Sequence, residues 1–156
     1  TTGKKPCATQ TISLNNGWNL ISFNVKLANM LPSSIFNSVL LKLEMVKDNI
    51  SFYSPDFVPE LCSLTKIEGG RAYFVKMKYA DTLTLKGEIM DEVLPTLNSG
   101  WNLIGCPYQT AKKFSSGLSG QIIEIIKNFN GFWIPTGGTL NSIDSFEPGK
   151  GYLIKK

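Results

Sequence analysis

Apolar and polar positions alternate over residues 9–14, with Ile12 and Leu14 on one face and Thr11 and Ser13 on the other. This is the two-residue period of a half-buried strand. Asn15-Asn16-Gly17 reads as a hairpin turn, since Asn and Gly accept the positive φ of tight hairpins. The returning strand, residues 18–23, puts Trp18 and Leu20 on one face and Ile21 and Phe23 on the other, so bulk on both faces predicts a central strand. Pro32-Ser33-Ser34 predicts a helix start with Ser33 as N-cap, followed by the stripe Ile35, Phe36, Val39 and Leu40. Strands are predicted over 43–47, 52–54 and 73–77. Between the last two, Leu61, Leu64 and Ile67 are spaced for a single helical or 3₁₀ turn over the core. Thr82-Leu83-Thr84-Leu85-Lys86-Gly87 alternates clearly.

The same pattern then recurs. Leu14-Asn15-Asn16-Gly17-Trp18-Asn19-Leu20-Ile21 returns as Leu97-Asn98-Ser99-Gly100-Trp101-Asn102-Leu103-Ile104. Residues 43–55 align without a gap to 123–135, carrying Asn130-Gly131 as a second hairpin signal before Phe132-Trp133-Ile134. Residues 114–121 stand where the first helical stripe does, but with Gly117 and Gly120 they read as a helix or a turn. A strand over 122–127 follows, and Glu68-Gly69-Gly70-Arg71-Ala72-Tyr73 matches Glu147-Pro148-Gly149-Lys150-Gly151-Tyr152 ahead of a closing strand at 152–154. A period near eighty residues predicts two copies of one folding unit. The fold class expected is β-rich α+β: two tandem homologous units, each a small, mostly antiparallel sheet with one short helix. Residues 1–80 form the first unit with an N-terminal arm, and 81–156 the second, opening with the linking strand 82–87.

Matched positions are mostly apolar, aromatic or Gly, the profile of shared cores and turns. Gly17, Trp18, Leu20 and Tyr73, with Gly100, Trp101, Leu103 and Tyr152, are therefore expected to form the core signature, and the two Trp to pack inside their units rather than stack on sugars. Tyr53, Phe132 and Trp133 are the candidate ligand or partner contacts, because successive aromatics on a strand point to opposite faces.

Composition narrows the chemistry. At 156 residues and 42% hydrophobic the chain can bury a sizeable core. There is no histidine, which removes the usual general base and the commonest metal ligand. No catalytic residue, metal or cofactor is expected. The matched acids, Glu44 with Glu124 and Glu68 with Glu147, read as solvated strand and turn positions. Asp81, Asp91 and Glu92 near the linker offer only a slight calcium signal without an Asp-rich loop. The net charge of +4 is scattered, against a nucleic-acid partner. No stretch has the apolar length of a membrane span. Of three cysteines, Cys106 stands where Phe23 does and is expected to be a small buried hydrophobe. In an exported protein, Cys7 and Cys62 are the pairing to test first, with pairing between chains as the alternative.

The pattern Leu-x-x-Gly-Trp-Asn-Leu-Ile, an aromatic-rich middle and Gly-Lys-Gly-Tyr before an apolar strand resembles a tandem repeat module of bacterial extracellular and cell-surface proteins. Ala72 departs from it where Gly151 conforms. The resemblance covers residues 11–156 and implies location and modularity, with a strand like 82–87 linking successive repeats. The expected role is a non-enzymatic extracellular structural or interaction module, its partners other copies of itself or other surface proteins. The second copy has no strand after it like 82–87, which predicts one incomplete sheet edge; either the chain is an excerpt, or the arm, residues 1–10, adds to that edge in trans and builds filaments. The alternative from a different class is a carbohydrate-binding accessory module with polysaccharide as partner.

Overall fold

The computed structural model describes residues 5–156; residues 1–4 of the arm lie outside the described residues. The protein is β-rich, with several antiparallel sheets and a few short helices. Its elements are β1 (Cys7–Leu14), β2 (Gly17–Ser22), β3 (Val25–Lys26), α1 (Pro32–Ile35), β4 (Leu43–Lys47), β5 (Phe52–Tyr53), β6 (Ala72–Met77) and β7 (Asp81–Ile89). There follow β8 (Trp101–Gly105), β9 (Lys112–Lys113), α2 (Phe114–Gly117), β10 (Ile125–Asn128), β11 (Gly131–Trp133), β12 (Ser145–Phe146) and β13 (Gly151–Lys155).

Two four-stranded sheets form the body, ordered β2-β6-β4-β5 and β8-β13-β10-β11, so strands that match in sequence occupy matching places. One core, around Phe23, Phe36, Leu43, Ile67 and Tyr73, lies under the first sheet. A second, around Phe114, Ile126, Phe146, Tyr152 and Ile154, lies under the other. In the second core the rings of Phe114, Phe146 and Tyr152 meet edge to face at 4.8–5.5 Å between centroids, the arrangement that aligns ring edges with ring faces.

β1 and β2 are not a hairpin. β1 pairs along its whole length with β7, from Cys7 opposite Glu88 to Leu14 opposite Asp81, while β2 pairs with β6. Asn15-Asn16 is therefore a corner between sheets. The expected Gly is still required there, because Gly17 and Gly100 sit at φ 86° and 91°. Asn19 locks the corner: its Oδ1 accepts the Asn15 N–H at 2.8 Å. Its Nδ2 donates to the carbonyls of Asn15, Gly17 and Val75 at 2.9, 3.1 and 3.2 Å. Asn102 makes the same four contacts, to Asn98, Gly100 and Ile154, at the same distances.

β2 is an edge strand of its sheet rather than a central one. Its second bulky face is covered because the two sheets meet there. Leu20, Ala72 and Leu103 form a small buried cluster between them, flanked by Phe74 and Leu153. Ile21 bridges to Lys150 and Ile104 to Arg71. Ser22 N–H donates to the Gly149 carbonyl at 3.1 Å, and Gly105 N–H to the Gly70 carbonyl at 2.9 Å. The junction is thus reciprocal, each side making to the other the contact it receives.

Other expectations shift. β7, expected to open the second unit, is the middle strand of a separate three-stranded sheet, between β1 and β3. Its pattern is the one read from sequence, with Leu83, Leu85 and Gly87 buried and Thr82, Thr84 and Lys86 exposed. The N-cap of α1 is Leu31, not Ser33, with Pro32 at the first helical position where its missing N–H leaves no hydrogen bond unmade. A 3₁₀ helix, Asn37–Lys42, continues from it. Leu64 and Ile67 cap the core, but Leu61, in the 3₁₀ turn Pro59–Leu61, is exposed, as is Leu140. β10 begins at Ile125 rather than residue 122, and Ile122 is 87% exposed. The hairpin at Asn130-Gly131 is as expected, with Asn128 opposite Gly131.

Candidate functional site

Trp18 and Trp101 are not core residues: they are 40% and 48% exposed. The reason is strand alternation. In β2 the core-facing positions belong to Asn19 and Ile21, which leaves Trp18 at the outer rim, opposite Lys76 of β6. Each indole carries two ammonium groups instead. Lys47 and Lys76 lie 5.0 and 5.8 Å from the Trp18 centroid, and Lys127 and Lys155 lie 4.8 and 6.0 Å from that of Trp101. Such contacts contribute about 0.5–1 kcal/mol each at exposed sites. The outer Lys of each pair also reaches a carboxylate, Lys76 to Glu44 at 2.8 Å and Lys155 to Glu124 at 3.2 Å.

Of the remaining signature positions, Gly17 and Gly100 are half-buried at the corners, and the other four are internal. Leu20, Leu103, Tyr73 and Tyr152 are buried. The Tyr73 hydroxyl accepts the Glu68 N–H and that of Tyr152 the Glu147 N–H, both at 2.8 Å. Burial pushes the Tyr73 phenol up to about 12 and raises that of Tyr152 as well.

Tyr53, Phe132 and Trp133 lie on β5 and β11, the strands at the far edges of the two sheets from the junction, so no single surface gathers them. Tyr53 packs on the first core, which raises its phenol pKa through burial. Trp133 packs on the second, its ring 5.6 Å from that of Phe114. Phe132 alone turns outward, at 39% exposed.

A cleft of about 290 Å³ opens instead at the junction of the two sheets, lined by Trp18, Asn15, Asn128, Phe129, Asn130 and Lys150 among others. The ring of Phe74, outside the lining of the cleft, stands between two of its aromatic rings, 6.5 Å from Trp18 and 6.2 Å from Phe129. Sequence reasoning missed Phe129. Its signal was present, an aromatic residue between Asn128 and Asn130 at a hairpin tip, where no core can receive it. Aromatic faces beside amide side chains can stack on a flat apolar ring and hydrogen-bond to hydroxyls.

Among the described residues, the acidic groups near the linker each have a separate partner. Asp81 is paired with Lys42 at 3.0 Å, and hydrogen bonding from that ammonium holds its carboxyl below the ordinary value. Asp91 pairs with Lys5, and Glu92 accepts the Gln109 N–H at 3.2 Å, so the three acids near the linker point to different partners. Among the described residues no group of three His, Cys, Asp or Glu is placed to hold a metal ion. All three cysteines are free thiols, so the Cys7–Cys62 bridge does not form: Cys7 is exposed opposite Glu88, and Cys62 points at the carbonyls of Ser54 and Val58. Cys106 is fully buried, as expected, and burial pushes its thiol up to about 11. No helix among the described residues is long and apolar enough to cross a membrane.

Comparison with protein-family models, curated proteins and solved structures returns no match for this chain.

Proposed function

We infer that the chain is a non-enzymatic structural and interaction module of extracellular or cell-surface proteins, made of two tandem homologous units. One observation carries the reading: the polar side chains of the repeated signature serve the chain's own backbone, in both halves alike. Asn19 and Asn102 clamp the corners, and Tyr73 and Tyr152 hold the turns before the closing strands. Ser63 and Ser142 accept the Phe52 and Phe132 N–H groups at 3.0 and 2.9 Å. A repeat kept for a ligand would point its polar groups outward; this one uses them to hold two sheets in shape. Partners are other copies of the chain or other surface proteins. Filament growth by the arm is the weaker form of the reading, since residues 7–10 are paired with β7.

The junction cleft favours a second reading, a carbohydrate-binding module, because Trp18 and Phe129 there stand beside four asparagines. Tryptophan fluorescence titrated with a panel of soluble polysaccharides separates the two. The structural reading expects no saturable quenching. Saturable quenching by a polysaccharide, abolished by Trp18→Ala, transfers the assignment to carbohydrate binding.

A further inference from the structure

The two halves match in sequence where they hold the fold and differ at the hairpin tips beside the junction. Residues 48–50 align with 128–130, and Arg71 aligns with Lys150. The first set lines a cleft of about 270 Å³ together with Leu103. The second set lines the cleft of about 290 Å³ described above, together with Leu20. Leu20 and Leu103 are themselves a matched pair, so the two clefts are counterparts across the junction.

Their chemistry is opposite. In the first, Asp48 brings a carboxylate that accepts the Ile50 and Ser51 N–H groups at 2.9 and 2.8 Å, and Glu68 holds Arg71 at 3.2 Å. In the second, Asn128 stands in place of the acid, and neither Asp nor Glu is among the lining residues. Lys150 forms no ion pair among the described residues. Its backbone is nonetheless fixed, the carbonyl accepting from the Ser22 hydroxyl at 2.5 Å and the N–H donating to the Glu147 carbonyl at 3.1 Å. Phe129, 60% exposed, belongs to neither main core. The carboxamides of Asn19, Asn24, Asn102 and Asn141 all bond to backbone groups. At Asn15 and Asn130, which line the cleft, the backbone makes such bonds, but the carboxamides bond to no protein group among the described residues.

We propose that the cleft at Trp18 and Phe129 binds a carboxylate-bearing sugar unit of an acidic polysaccharide. The proposal rests on the second reading above and narrows it to one class of glycan. A sugar acid matches each free group in turn. The apolar C–H face of its ring lies against an aromatic ring, and its hydroxyls pair with carboxamides, which donate and accept together. Its carboxylate meets the ammonium of Lys150 in a charge-assisted hydrogen bond. A neutral sugar leaves Lys150 unused, and a bare anion leaves the aromatic rings and amides unused. The counterpart cleft has the reverse character, since Asp48 repels a carboxylate and Arg71 is already paired. At about 290 Å³ the cleft is at the small end of ligand sites, which run from about 300 Å³ upward, so it holds a short stretch of the chain.

The test titrates short oligosaccharides of galacturonate, mannuronate and guluronate into the isotopically labelled chain, each beside its methyl ester, and follows backbone amide and indole shifts. At least one acid should give saturable shifts at Trp18, residues 128–130 and Lys150. It should bind about threefold or more tightly than its ester, the size of one exposed ion pair, by a margin that shrinks as salt is raised. Lys150→Gln, at an exposed side chain whose backbone bonds remain, should abolish the margin. Phe129→Ala should weaken acid and ester alike, with unchanged shifts at Tyr73 and Tyr152 reporting an intact fold in both variants. Equal binding of acid and ester overturns the proposal and leaves the carbohydrate reading standing. Shifts centred on residues 48–50 overturn it, as does oligoglutamate that reproduces the shifts at Trp18 and Phe129, since charge alone would then suffice. Absence of saturable shifts with every acid also overturns it, while quenching by the wider polysaccharide panel decides the carbohydrate reading separately.

Discussion

At the residue scale, Ala72 and Gly151 show how one departure from a pattern acquires a physical reason. In the sequence Ala72 only breaks a Gly-x-Gly-Tyr motif. In the fold, a Cβ on Gly151 would stand 2.8 Å from the Cβ of Ala72 and 2.9 Å from Leu20. The two positions face each other across the junction, and there is room for one methyl group between them. Ser22 and Gly105 repeat the arrangement, a Cβ on Gly105 falling 2.4 Å from that of Ser22. Nothing in the chain's order brings 72 beside 151, so the constraint was invisible before the halves met. Gly151→Ala should destabilise by about 1–3 kcal/mol through overpacking. Adding Ala72→Gly should restore at least half of that loss. Denaturant midpoints of both single variants and the double variant measure the coupling; purely additive effects would refute the shared-methyl account.

At the scale of elements, strands were legible wherever their signal was local. β7 alternates over its whole length, and β4 and the hairpin at Asn130-Gly131 fell where pattern and turn residues put them. The corner at Asn15-Asn16 was misread for a definite reason. Turn residues report that the chain reverses, but whether the flanking strands pair with each other depends on β6 and β7, more than fifty residues away. The Trp residues failed similarly, since large apolar size was taken for burial while alternation gave the inward position to Asn19. That inward amide makes a further prediction. Asn102→Ala removes an acceptor from the Asn98 N–H and a donor from three carbonyls, one of them on β13. Leaving such groups unpaired near the core costs about 1–3 kcal/mol. Urea unfolding of Asn102→Ala should show a loss in that range, whereas Asn98→Ala, which keeps its backbone groups, should show less than half as much. Equal effects would mean that Asn102 is not the clamp.

At the scale of the whole molecule, the question is whether the halves are two folding units or one. Each has its own core, which argues for independence, and the internal repeat makes that the natural reading of the sequence. The junction argues otherwise. It holds buried Leu20, Ala72 and Leu103 and the reciprocal bridges of Ile21 and Ile104. Asn24 adds a buried bond, its Nδ2 donating to the Tyr108 carbonyl at 2.9 Å. Separating the halves would expose that cluster and leave the Asn24 amide and the Ser22 and Gly105 N–H groups without partners. Each such group is worth on the order of 1 kcal/mol or more when buried, and a small sheet has little stability of its own to set against the loss. Calorimetry should therefore show one transition whose calorimetric and van't Hoff enthalpies agree. Gly151→Ala should lower that transition without splitting it, because the strain falls on the surface that couples the halves. Two resolved transitions in the unaltered protein would mean that the junction is a contact between finished domains and that each core stands alone.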